Sequence, residues 1–413
     1  MAKPKLALIP AAQGSKFYSV LPSSGVGDFD FTRSGSATRI NSQGLIETVA
    51  NGVSRLNYPL IDGKVVGCPS HLLEPQRTNN LLQSNQFDTT WSVSNASTTS
   101  GQIGVGGSLD AWKLESSGSS SSFIFQAIST SAVTTRSIYA KAGSVNWFSI
   151  NSGGSQVAYF DLSNGVVGTK SSNIIDATME SVGDGWYRCS VEIDSQSNFY
   201  VFIANADNSQ ASNNGDSIYI QYAQLEQGSY PTSYIPTSGS TVTRSAETAN
   251  GSGDAATFND SEGVLMAEIS ALDDDNSVRY ISLNDGSTSN RIRFGYTTAT
   301  NSVRLLVVAS TSQVDITKQL SDTSLFNKFA IKYKQNDFAL WANGFEIAVD
   351  TSGNTPSGLS EFDFDNAAGG DDFYGNTKQL QYYDSALTDS ELEQLTSWVS
   401  FSDMANGQLY TIE

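Results

Sequence analysis

Short runs in which apolar and polar residues alternate recur along the whole chain, and turn-forming residues separate them. A period of two places one set of side chains on a buried face, so each run predicts a strand. Within residues 85–240 the runs are 137–142, 147–150, 157–162, 187–193, 199–203 and 217–225, with Ser163-Asn164-Gly165 and Asn213-Asn214-Gly215-Asp216 as turn signals. Strands at that spacing, with no helical pattern between them, predict a sandwich or jelly roll. A second set, 263–269, 278–283, 291–294, 303–308, 329–333 and 337–342, predicts another antiparallel β-sandwich over 251–413. Its strongest hairpin signal is Asn343-Gly344, because both central positions of that turn need positive φ.

Between the two sets lies a joint, residues 224–247. Pro231 and Pro236 cannot donate to a ladder and hold the chain extended, and Tyr230, Tyr234 and Ile235 are expected to pack back onto the first sandwich. Residues 241–250, rich in Ser and Thr, are expected to be a flexible linker. Residues 1–84 are punctuated by Gly and Pro and predict a small β-rich attachment module or an extended arm. One helix is signed near the C-terminus: Thr388 as N-cap with Glu391 forms a capping box, Leu387 and Leu392 a hydrophobic staple, and Leu395 and Trp398 continue the apolar face. The fold class is therefore all-β, a small N-terminal β-rich module followed by two tandem antiparallel β-sandwiches and one short helix.

Charge and composition narrow the function. A net charge of −19 and no basic cluster argue against nucleic acid, whose phosphates are held by grouped Lys and Arg. No apolar run approaches the ~20 residues that span a bilayer. The apolar stretch near the start is short and broken by Pro10, so no signal peptide is expected and synthesis in a cytoplasm is. Cys68 and Cys189 are read as two buried small hydrophobes rather than a disulfide.

Candidate chemistry is sparse. His71 is the one histidine, and acid–base or metal work needs partners that the sequence does not supply, so its role is read as structural. No Gly-x-Ser-x-Gly elbow occurs. Asp273, Asp274 and Asp275, and the loop containing Asp363, Asp365, Asp371 and Asp372, offer the hard oxygens that Ca2+ prefers, although neither has EF-hand spacing and plain solvated turns are the favoured account. Trp91, Trp147, Trp186 and Trp341 are glycan-binding candidates, because an indole face stacks on a sugar ring; core packing is the competing fate.

Residues 31–40, 44–47 and 71–79 together closely resemble the amino-terminal module of tail-fibre-like and other structural proteins of tailed bacteriophages. Ser84-Asn85-Gln86-Phe87-Asp88-Thr89-Thr90-Trp91 and Gly183-Asp184-Gly185-Trp186-Tyr187-Arg188-Cys189 resemble the opening strand and internal signature of the carbohydrate-binding-module-like sandwich in such proteins, and 224–244 resembles its closing segment. Residues 332–344 and 379–389 resemble a concanavalin A-like, laminin-G-like sandwich. The resemblance implies a non-enzymatic structural protein of the virion, of fibre or capsid-decoration type, made in the host cytoplasm. It also implies contacts with other virion proteins, homotrimers, and binding to host-surface polysaccharide. The alternative is a tailspike-like polysaccharide-degrading enzyme, lyase or glycosidase. Residues 137–143 are similar to the Tyr/Lys/Ala/Gly strand of sandwich-fold lyases, but the Gln-Ile-His element of those enzymes is missing, and Tyr139 and Lys141 are read as ordinary strand residues.

Overall fold

The computed structural model describes residues 3–9, 12, 13, 16–130, 132–153, 156–194 and 198–398. The central part is a sandwich of two six-stranded antiparallel sheets. The first runs Ser92–Ser94, Phe123–Gln126, Phe199–Ala204, Trp147–Asn151, Val157–Asp161, Val166–Lys170. The second runs Ala96–Gln102, Ala111–Ser116, Ser217–Gln227, Thr134–Ala142, Trp186–Ile193, Ile174–Gly183. Alternate side chains, among them Ile138, Ala140, Phe148, Ile150, Phe160 and Val191, fill the space between the sheets. In Ser217–Gln227 the alternation changes phase. Tyr222 sits at φ 51° near a register shift against Thr134–Ala142, and the extra residue turns Ala223 and Leu225 inward after Ile218 and Ile220.

The C-terminal sandwich is built from two stretches of chain. Its five-stranded sheet runs Thr311–Gln319, Ser302–Ala309, Asn290–Tyr296, Arg279–Asn284, Glu361–Asp363. The facing sheet has eight strands: Phe345–Asp350, Phe338–Ala342, Asn327–Lys334, Glu262–Ala271 and Gly375–Tyr383, followed by Ser70–Leu73 and Arg55–Asn57, with Leu6–Leu8 also paired to Gly375–Tyr383. Leu6, Leu8, Phe29, Phe31 and Leu73 share one core with Leu265, Ile281, Phe294, Phe329 and Phe373. The N-terminal module is thus β-rich as expected, but its strands complete a sheet and core that its own short runs are too few to close.

Two expectations are corrected. Residues 241–250 are not a free linker: Val242–Arg244 pairs with Arg77–Asn79, Thr248–Asn250 pairs with Phe29–Thr32, and the intervening Glu247 is fully buried. The Ser/Thr composition that suggested a linker also suits narrow two-sided strands, where Thr78 and Thr243 hydroxyls meet at 2.7 Å. Cys189 is buried, but Cys68 is exposed on a loop. Tyr230, Tyr234 and Ile235 are buried, and His71 is buried in the eight-stranded sheet.

Local signals fare better. Asn343 and Gly344 take φ 50° and 89° in the hairpin joining Phe338–Ala342 to Phe345–Asp350. The helix spans Asp389–Thr396; Thr388 Oγ1 accepts from the Glu391 amide at 3.4 Å, and Glu391 Oε2 accepts from the Thr388 amide at 3.1 Å. Leu387 and Leu392 pack beside Trp341. Thr388→Ala is expected to cost about 1 kcal/mol in urea unfolding. A variant that unfolds with the parent would show that Leu387 and Leu392 alone set the start of the helix.

Candidate functional site

The joint is organised by a buried lattice of charges. Arg33 Nη1 donates to Glu247 Oε1 at 2.7 Å, Arg55 Nε donates to the same oxygen at 2.9 Å, and Arg55 Nη2 donates to Glu247 Oε2, which also accepts from the Glu74 amide at 2.9 Å. Glu74 Oε2 lies 2.8 Å from both Arg55 Nη1 and Arg244 Nη1, and the Glu74 carboxylate accepts from Ser233 N at 2.8 Å and Ser233 Oγ at 2.6 Å. One step on, Glu226 accepts from Thr232 N and Oγ1 at 2.8 and 2.6 Å, and Gln224 Oε1 accepts from Ile235 N at 2.6 Å. A buried charge is tolerable only when paired and hydrogen-bonded, and here each carboxylate has both. Burial works against ionisation of Glu74, but the guanidiniums of Arg244 and Arg55 and the Ser233 donors outweigh it and hold its carboxyl down at about 2.

Beside the lattice a cleft of about 340 Å³ opens between the N-terminal module, the connector residues 231–234 and the outer face of the second sheet of the central sandwich. Ile138 and Ala140 point into the core, so Tyr139 between them points out to this cleft. Register then lines up a row across four strands: Gln221 opposite Tyr139, Tyr139 opposite Arg188, and Arg188 opposite Glu180. The Arg188 guanidinium lies 5.8 Å from the Tyr139 ring centroid, and its Nη2 donates to the Thr232 carbonyl at 2.6 Å. Arg39, Asn57 and Tyr58 contribute to the lining from the module. Module and sandwich meet backbone to backbone: a β-carbon on Gly63, at φ 72°, would lie 2.2 Å from Gly183 Cα.

Electrostatically the cleft is mixed. Glu180 has an exposed position on the edge strand, and partial desolvation by the chain around its carboxyl pushes that group up, with Arg188 working against the shift. Tyr139 is 5 % exposed, and burial pushes its phenol up, Arg188 opposing and Glu180 adding. A volume of this size accommodates a small ligand, and guanidinium, carboxylate, amide and ring edges in one cleft suit hydroxyl-rich molecules.

Three of the four candidate tryptophans are buried: Trp91, whose indole donates to the Gln83 carbonyl at 2.9 Å, Trp186 behind the cleft, and Trp341 beneath the helix. Trp147 is half-buried, on the first sheet of the central sandwich away from the cleft. The two Asp-rich loops meet, since Asp275, Asp371 and Asp372 line one recess of about 450 Å³ with Arg77, Tyr230, Arg279 and Tyr374. Their oxygens are engaged: Arg279 Nη2 donates to Asp275 at 2.6 Å, Asn301 N to Asp274 at 3.0 Å, Asn366 Nδ2 to Asp371 at 3.0 Å and the Tyr374 hydroxyl to Asp372 at 3.0 Å. Burial pushes the Asp273 carboxyl up, and Asp275 adds to the effect. Asp363 and Asp365 accept from Asn284 and Asn250 at 2.8 and 2.9 Å. Among the described residues no three such side chains are grouped to hold a metal.

A scan against protein-family models finds none that matches, and a search of curated proteins finds no match either. Solved structures give low likenesses. One is the IT-sialidase CBM40 of Ruminococcus gnavus bound to alpha2,3 sialyllactose, at 18% identity and TM-score 0.30, covering 34% of this chain and 84% of that one. A second is the tail fiber protein gp63.1 of an E. coli phage, at 9% identity and TM-score 0.22, covering 75% and 41%. A third is the mouse laminin alpha1 chain, domains LG4-5, at 10% identity and TM-score 0.23, covering 76% and 94%.

Proposed function

We propose that this chain is a non-enzymatic structural component of a bacteriophage particle, of tail-fibre, head-fibre or decoration type, and that its interdomain cleft binds host-surface polysaccharide. The observation that carries this is the lattice around Glu74 and Glu247. Arg33, Glu74, Glu226 and Arg244 lie in the segments that resemble phage structural proteins, and with Glu247 their side chains are spent on holding three stretches of chain together. Such a unit presents its cleft at a fixed angle, and several copies on one particle would multiply weak single-site binding.

Labelled antibody against the protein should decorate purified virions; unlabelled particles would overturn the structural role. A glycan array should show binding, and Glu180→Gln, at an exposed cleft position, should weaken it several-fold without moving the melting temperature. Unchanged binding by that variant would remove the cleft from the proposal.

A second possibility has one observation in its favour. Tyr139, Arg188, Arg39 and Glu180 share a cleft, the residue types a polysaccharide lyase would gather. Proton abstraction by Tyr139 is disfavoured by the burial that raises its phenol. Release of unsaturated uronates or new reducing ends from host capsule by the purified protein would establish the enzyme instead.

A further inference from the structure

We infer that the outer face of the five-stranded sheet carries a second site, centred on Arg293, for the carboxylate of an acidic saccharide. In Asn290–Tyr296, Ile292 and Phe294 enter the core, so Arg291, Arg293 and Gly295 face outward. Gly295 lies opposite Tyr280 on one side and Arg304 on the other, and a β-carbon there would lie 2.0 Å from the Arg279 carbonyl oxygen, so the strands approach too closely at this point for a side chain. Arg293 leans over Tyr280, with its guanidinium 4.0 Å from the ring centroid. Leu306, opposite Arg293 on the next strand, is buried beside it.

Arg293 is only 9 % exposed, yet it makes no hydrogen bond to any described residue; its Nε is shielded from solvent without a partner, and the nearest carboxylate, Asp371, stands 4.0 Å away. Its neighbours are committed: Arg304 binds Asp315 through two bonds of 2.7 and 2.6 Å, and Arg291 Nη1 donates to the Asn366 carbonyl. Three guanidiniums therefore share one sheet face in a chain of net charge −19, and the innermost is unsatisfied. Burial and the mutual repulsion of these arginines both work against the charge on Arg291 and Arg293. An arriving anion would supply the missing acceptor, and the planar fork of Arg293 matches the two oxygens of a carboxylate. Tyr280, beneath the Arg293 guanidinium, would hold that fork in position.

Calorimetric titration of the full chain with an oligogalacturonate, against a neutral oligogalactan of equal length and against sodium sulfate, tests the site. The oligogalacturonate should bind, more weakly as salt rises, and the neutral sugar should not. Arg293→Met should reduce the affinity about tenfold or more. Should that variant fail to fold, Arg304→Gln, at a more exposed position, should still weaken binding. Glu180→Gln in the cleft should leave it unchanged, which separates this site from the one proposed above. Equal binding of the neutral sugar, sulfate binding as tightly as the oligouronate, or undiminished affinity in folded Arg293→Met would each overturn the inference.

Discussion

Glu247→Ala should lower the free energy of unfolding by about 3–5 kcal/mol, because it leaves the buried guanidiniums of Arg33 and Arg55 without their shared acceptor. The loss is expected in equilibrium urea unfolding as an earlier midpoint. It should be accompanied by faster proteolysis of residues 3–79, whose attachment the carboxylate secures. A companion variant sharpens the point: replacing Arg33, Arg55 and Glu247 together by Met should recover much of the stability, since no buried charge is then left unpaired. Loss of less than about 1 kcal/mol in the single variant would mean that solvent reaches the lattice and that the joint is held by apolar packing.

Acid should open the same joint. Glu74 titrates at about 2 when folded, against an ordinary 4.5, so the unfolded chain binds its proton first as pH falls. Its contribution is therefore complete above pH 4.5 and drains away as pH drops toward 2. A difference of that size corresponds to roughly 3 kcal/mol. Measured stability should fall over this window in the parent chain. Glu74→Gln, already destabilised at neutral pH, should lose less across it. Parallel curves for the two proteins would show that other carboxyls govern the acid limit.

Much of the fold was legible because its signals are local. The alternation at 137–142 marks a strand within six residues, and Asn343-Gly344 and Thr388 with Glu391 specify a turn and a helix start from adjacent positions. Nothing local distinguishes Val242–Arg244 from a linker, because its partner, Arg77–Asn79, lies far back in the sequence. The lattice was hidden for the same reason: Arg33, Arg55, Glu74 and Glu247 meet across separations of up to 214 residues. In the cleft, alternation already places Tyr139 on the face opposite Ile138. What it cannot tell is that another part of the chain covers that face and turns an exposed row into a recess. Arg188 lies inside the motif Gly183 to Cys189, in which Trp186 is the more conspicuous candidate for stacking on a sugar. Size misled there, since a large indole is more readily buried than displayed.

The pairing of Leu6–Leu8 and Ser70–Leu73 with Gly375–Tyr383 has a kinetic side. The central sandwich draws its sheets from one continuous stretch, Ser92 to Gln227, and can close as soon as that stretch is made. The eight-stranded sheet must instead wait for Gly375–Tyr383, more than three hundred residues after the early strands that flank it. Joining them costs less if the intervening chain has already condensed, because a folded insert brings its two ends together and shortens the loop to be closed. The nesting thus predicts an order of folding: the inserted sandwich first, and the eight-stranded sheet last.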